Sequence, residues 1–132
     1  REVLTSHNLG EQVEQLKSIV TLEEVRAAQQ AVRTVRFEDS VLDYLQDIID
    51  ATRKSNELLV GVSTRGALSF YRACQAMATL SDRNFVTPDD VKSLAVPVVA
   101  HRVIPKGFAA GSDRRLVEGI VRKLLESIRV PV

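Results

Sequence analysis

Residues 61–80 read GVSTRGALSFYRACQAMATL. Gly61 frees the backbone, Ser63 is a good N-cap, and a long amphipathic helix follows. Ala67, Phe70, Tyr71, Cys74, Met77 and Ala78 form one apolar stripe, which Leu68 and Leu80 widen. That much apolar surface, with several alanines, predicts a central helix packed against neighbours on more than one side. Arg65 falls at the second helical position, where the partial positive charge of a helix N-terminus favours anions. The mismatch costs roughly 0.3–1 kcal/mol. An anion bound by the unpaired N–H groups together with the guanidinium would resolve it. Gly66, the next residue, would let such a ligand approach the backbone closely. The alternative is a solvated surface arginine without a partner, and spacing alone leaves both open.

The segments on either side also read as helices. Before the central helix, Val41, Leu42, Leu45, Ile48, Ile49 and Thr52 mark one buried face of a helix over about Asp39–Lys54. Glu38 and Asp39 at its start and Arg53 and Lys54 at its end match the macrodipole, which is the simpler account of Arg53 than a ligand role. Further upstream, Thr21 and Glu24 form a capping box, with Val20 and Val25 placed as a hydrophobic staple. Leu22, Val25, Ala28 and Val32 predict the buried stripe of a helix ending near Arg33. After the central helix, Thr87-Pro88-Asp89-Asp90 is a strong start signal, and Val91, Leu94, Ala95, Val98 and Val99 continue a buried face to His101. Pro97 must kink or split that helix. A final helix from Ser112 or Asp113 to Arg129 carries Val117, Ile120, Val121, Leu124, Leu125 and Ile128. Val35–Phe37 and Phe85-Val86 could pair as a tiny two-strand bridge. Residues 1–20 predict a short helix or packed irregular segment, and Phe108–Gly111 a small-residue linker, weakly ordered or shaped by a partner. The expected fold is all-α, a small bundle of about five helices.

Composition narrows the function. The chain has 132 residues, enough for one domain with a modest core. Lys plus Arg number 18 against 17 Asp plus Glu, a net charge of +1, which is not the footprint of a strong nucleic-acid binder. Aromatic residues, at 5%, are too few for a base-stacking platform. The single cysteine, Cys74, excludes an internal disulfide and lies on the apolar helix face, where an inert buried thiol is expected. No apolar run reaches the length of a membrane span and no signal-peptide pattern opens the chain, so a cytosolic protein is the default expectation. The chain starts at Arg1 without a methionine, inside an apparent helix, which suggests a piece of something longer.

No phosphate loop, dinucleotide fingerprint or strand with paired acids occurs. His7 and His101 lack ligand-spaced partners, and His101-Arg102 near a helix end is more simply a dipole-matched, partly buried pair than a metal site. GVSTRG is not a nucleophile elbow, and Asp89 and Asp90 belong to a cap. Nothing here makes a complete active site.

GVSTRGAL (61–68) followed by DRNFVTPDDVKSLAVPVVAHRVI (82–104) resembles the C-terminal lid of MoxR-type AAA+ ATPases. LDYLQDIIDATR (42–53), with its Thr52-Arg53, and TLEEVRAAQQAVRTVRFEDSVL (21–42) are similar to the helices that precede that motif. The resemblance covers about Thr21 to Ile104 well. It implies an AAA+ lid over residues 21–132, with residues 1–20 as the connection from an ATPase core outside the chain.

The resemblance also implies a role for Gly61, Ser63 and Arg65, which match the family's G-x-S-x-R pattern. The lid arginine, called sensor 2, contacts ATP phosphates and couples nucleotide state to lid angle. The match makes Arg65 that arginine, with ATP as ligand and Mg2+ held by the core. The implied partners are the chain's own AAA+ core and neighbouring subunits of a hexameric ring that remodels or matures client proteins. No activity is expected of the fragment itself. The family often has Ala-Ser-Pro before the arginine and Ala after it, where this chain has Val62-Ser63-Thr64 and Gly66. The missing proline loosens the first turn, and Gly66 weakens it by roughly 0.5–1 kcal/mol relative to alanine. Two other classes compete: a helix-turn-helix DNA-binding domain, opposed by Asp89-Asp90 at the start of its second helix, and a helical protein–protein adaptor with no nucleotide role.

Overall fold

A computed structural model describes residues 16–107 and 114–131. Among them the order is α1 (Leu22–Val32), α2 (Asp39–Lys54), β1 (Leu58–Val60), α3 (Thr64–Leu80), α4 (Pro88–Val99), a 3-10 turn (Ala100–Arg102), β2 (Ile104–Pro105) and α5 (Arg114–Glu126). The all-α expectation holds. The expected structure of residues 1–15, the linker Phe108–Gly111 and a final-helix start at Ser112 or Asp113 lie outside the described residues.

The core forms where apolar faces converge. α2 contributes Val41, Tyr44, Leu45, Ile48 and Ile49, α3 contributes Phe70, Cys74 and Ala78, and α4 adds Val91, Ala95 and Val99. α5 closes the bundle with Val117, Ile120, Val121 and Leu125. Burial pushes the Cys74 thiol up to about 12, helped by the Asp90 charge, so the thiol is inert at neutral pH. The expected width of the α3 stripe is smaller than its apolar residues suggest, because Leu68 and Leu80 face solvent and the buried polar Gln75 takes a core position.

Both capping signals set real helix starts. Thr21 and Glu24 form the reciprocal capping box of α1, and Thr87 and Asp90 form that of α4, with Pro88 in its first turn. Pro97 does not split α4. It sits in the last turn, and the helix tightens into the 3-10 turn just beyond it. α1 departs from expectation further: none of its residues is buried, and Leu22 and Val25 stay exposed. Among the described residues α1 makes its larger contacts with α3, and much of its apolar stripe stays exposed.

The expected bridge forms as a single parallel pairing of Arg36 with Phe85. The Arg36 N–H donates to the Asn84 carbonyl at 3.0 Å, and the Val86 N–H donates to the Arg36 carbonyl at 3.0 Å. Gln75 Nε2 donates to the Val35 carbonyl at 2.6 Å, which satisfies a buried amide and pins this bridge to α3. A second pairing was not anticipated: β1 and β2 run antiparallel, Leu58 opposite Pro105 and Val60 opposite Ile104. Proline is tolerated there because a two-strand ribbon has only edges. This ribbon joins the segment after α2 to the segment after α4, and β1 runs on into the first turn of α3.

Candidate functional site

The first turn of α3 is held from α2 by two adjacent side chains. Thr52 is buried; its Oγ1 donates to the Ile49 carbonyl at 2.6 Å and accepts from the Val62 N–H at 3.1 Å. Arg53 Nε donates to the Val62 carbonyl at 3.0 Å. Both backbone polar groups of Val62 are thus satisfied by consecutive α2 residues, and its side chain is buried. Arg53 also reaches Asp50 at 3.5 Å. Dipole matching is therefore only part of its role, since the guanidinium holds the segment that enters α3.

Gly61 is needed for space rather than conformation. Among the described glycines only Gly107 has positive φ. A Cβ on Gly61 would stand 2.6 Å from Arg53 Cα and 2.8 Å from the Thr52 carbonyl carbon. The chain passes so close to the end of α2 that any side chain there would strike backbone.

Ser63 caps α3, its Oγ accepting from the Gly66 N–H at 3.2 Å. Arg65 follows at the second helical position, exposed, and its guanidinium has no hydrogen bond or ion pair among the described residues. The first turn of α3 contains no acid, whereas the first turns of α1, α2 and α4 all do. The result is an open cation beside a positive helix end, an arrangement that attracts phosphate or carboxylate. Among the described residues no group of three His, Cys, Asp or Glu is placed to hold a metal ion.

Gly66 serves differently from expectation. A Cβ there would lie 2.8 Å from Val62 Cγ1 and 3.2 Å from Arg102 Cδ, so this chain's own side chains fill the space foreseen for a ligand. Arg102 Nη1 lies 2.8 Å from His101 Nε2, and His101 Nδ1 lies 3.0 Å from the Pro97 carbonyl. A guanidinium only donates, so Nε2 accepts and Nδ1 carries the proton donated to Pro97. The two are a linked pair just beyond α4, but only Arg102 is partly buried; His101, expected to share that burial, is exposed.

Asp90 belongs to the α4 cap, as expected, and to an ion pair that was not foreseen. Arg83 grips it with two hydrogen bonds of 2.7 Å, while the Thr87 N–H and hydroxyl each donate to it at 2.8 Å. Burial pushes the carboxyl upward, but these donors and the Arg83 charge outweigh it and hold its pKa below the usual carboxylate range.

Among known proteins, the AAA lid domain family matches residues 50–120. The chain is 32% identical to the uncharacterized protein YeaC of Bacillus subtilis over 133 residues, covering 99% of this chain and 41% of that protein. It is 24% identical to the chaperone MoxR1 of Mycobacterium tuberculosis, covering 99% of this chain and 36% of that protein. The protein MoxR of Paracoccus denitrificans is 35% identical over 71 residues, 54% of this chain and 21% of that protein. A crystal structure of a Cytophaga hutchinsonii protein classed as an ATPase superposes with a TM-score of 0.67 at 26% identity, covering 78% of this chain and 34% of that one. The chain thus spans less than half the length of each of these relatives. The matched stretch contains the end of α2, the cap of α3 and all of α4, and on these grounds the chain belongs to the AAA lid domain family, as the lid of a MoxR-type AAA+ ATPase.

Proposed function

We propose that this lid senses nucleotide through Arg65, acting as sensor 2 and coupling ATP binding and hydrolysis to the remodelling or maturation of client proteins. One observation carries the proposal: Arg65 stands exposed, with no carboxylate partner among the described residues, in the one α-helical first turn described with its cap that contains no acid. Gly61 lets that turn sit hard against α2, and Ser63 caps it, so both hold the turn that presents the arginine to the nucleotide. The ligand is a phosphate of ATP, with Mg2+ held by an ATPase core elsewhere in the whole protein. The partners are that core and neighbouring subunits of a hexameric ring in the cytoplasm. ATP supplies the phosphoryl group and its charge. The lid's own part is to hold a guanidinium where that charge changes on hydrolysis.

The test is Arg65→Ala in the full-length protein, read as ATP turnover. A charge-assisted contact to phosphate is worth roughly 1.5–3 kcal/mol, so turnover falls about 10- to 100-fold. The thermal midpoint stays within a degree or so, because an exposed side chain without contacts is removed. Unchanged turnover with an intact fold would favour an adaptor without a nucleotide role.

A further inference from the structure

The Arg102 side chain forms a physical link between the end of α4 and the first turn of α3. Its Cδ lies 3.2 Å from the place a Cβ would occupy on Gly66, so its aliphatic stem lies across the α3 residue next to Arg65. Its Nε is buried without a hydrogen-bond partner among the described residues. A buried unpaired donor costs free energy, so the stem is held in place by something other than Nε. The holder is His101: Nη1 donates to His101 Nε2, and His101 is itself tied to the Pro97 carbonyl. The 3-10 turn thereby reaches over to α3 through one side chain whose far end is anchored and whose stem is packed.

Resting on the assignment of Arg65 to the nucleotide, we propose that Arg102 is a positioning residue for Arg65: it clamps the first turn of α3 so that the Arg65 guanidinium is presented at a fixed angle. Arg102 does not itself touch nucleotide. Gly66 is what makes the clamp possible, because any side chain there would push the Arg102 stem away. The required partner state is a neutral His101 with its proton on Nδ1.

The test uses the full-length protein and compares ATP turnover in the wild type, Arg65→Ala, Arg102→Ala, the double variant and Arg102→Lys. Acting through Arg65, Arg102→Ala lowers kcat at least threefold and leaves KM for ATP within about twofold. The double variant is no slower than Arg65→Ala alone, because the two residues form one unit. Arg102→Lys keeps the stem and a donor and recovers at least half of the lost kcat. Wild-type kcat in Arg102→Ala beside a deficient Arg65→Ala would overturn this inference alone. So would a double variant slowed by the product of the two single effects, or a loss that Arg102→Lys leaves unrestored. Wild-type kcat in Arg65→Ala would overturn the nucleotide assignment and this inference with it.

Discussion

Gly61, Thr52 and Arg53 act together although eight or nine positions separate the glycine from the other two. A residue with no side chain lets the chain pass against the end of α2, and the two α2 side chains then capture the next peptide group. Replacing Gly61 by alanine sets a methyl group 2.6 Å from Arg53 Cα, and backbone must shift to admit it. Overpacking of this kind costs about 1–3 kcal/mol. Urea denaturation of Gly61→Ala is expected to show that loss in the transition midpoint, whereas an unchanged midpoint would mean that the close approach is relaxed in solution. The sequence marked this glycine as important but for backbone freedom. Its true reason, the backbone of Thr52 and Arg53 eight and nine residues earlier, leaves no local signature. The same holds for Gly66, where the neighbour is Arg102.

The helix starts were legible because each cap is written in consecutive residues: Thr21 with Glu24, Ser63 with the N–H of Gly66, Thr87 with Asp90. The periodic faces of α2, α4 and α5 were legible too, since one buried side demands one spacing, although Leu42 of the expected α2 face is exposed and Tyr44 is buried instead. Tertiary pairs were not. The β1–β2 ribbon joins residues more than forty positions apart, and Pro105 in β2 discourages a strand assignment. Gln75 interrupts an apolar stripe, the one hint that a buried polar group bonds a distant carbonyl. The Arg83–Asp90 pair joins the turn after α3 to the cap of α4 and yields a pH prediction. The folded-state pKa of Asp90 lies below its unfolded value of about 3.9, so its stabilisation is fully present above that pH. It is lost as pH falls through the lower folded-state value. Wild type should therefore be more stable than Asp90→Asn at pH 7, with the gap closing below about pH 4. A gap that stays constant between pH 7 and pH 3 would show that the carboxylate charge contributes nothing.

On the scale of the molecule, three features meet at the first turn of α3: the clamp from α2, the Arg102 stem from the end of α4, and the cap from Ser63. The bundle's core therefore holds this turn from two sides while Arg65 itself stays outside the packing. The exposed apolar stripe of α1 is the largest departure from the expected bundle among the described residues. Periodicity revealed that α1 has an apolar side; it carried no information on whether residues 16–131 supply the element that covers it. The central claim, that Arg65 meets a nucleotide's phosphate, is tested most directly by a crystal structure of the full-length protein with a non-hydrolysable ATP analogue. The account predicts an Arg65 guanidinium nitrogen within about 3 Å of a phosphate oxygen. A guanidinium paired with a carboxylate, or left in solvent with the nucleotide bound, would contradict it.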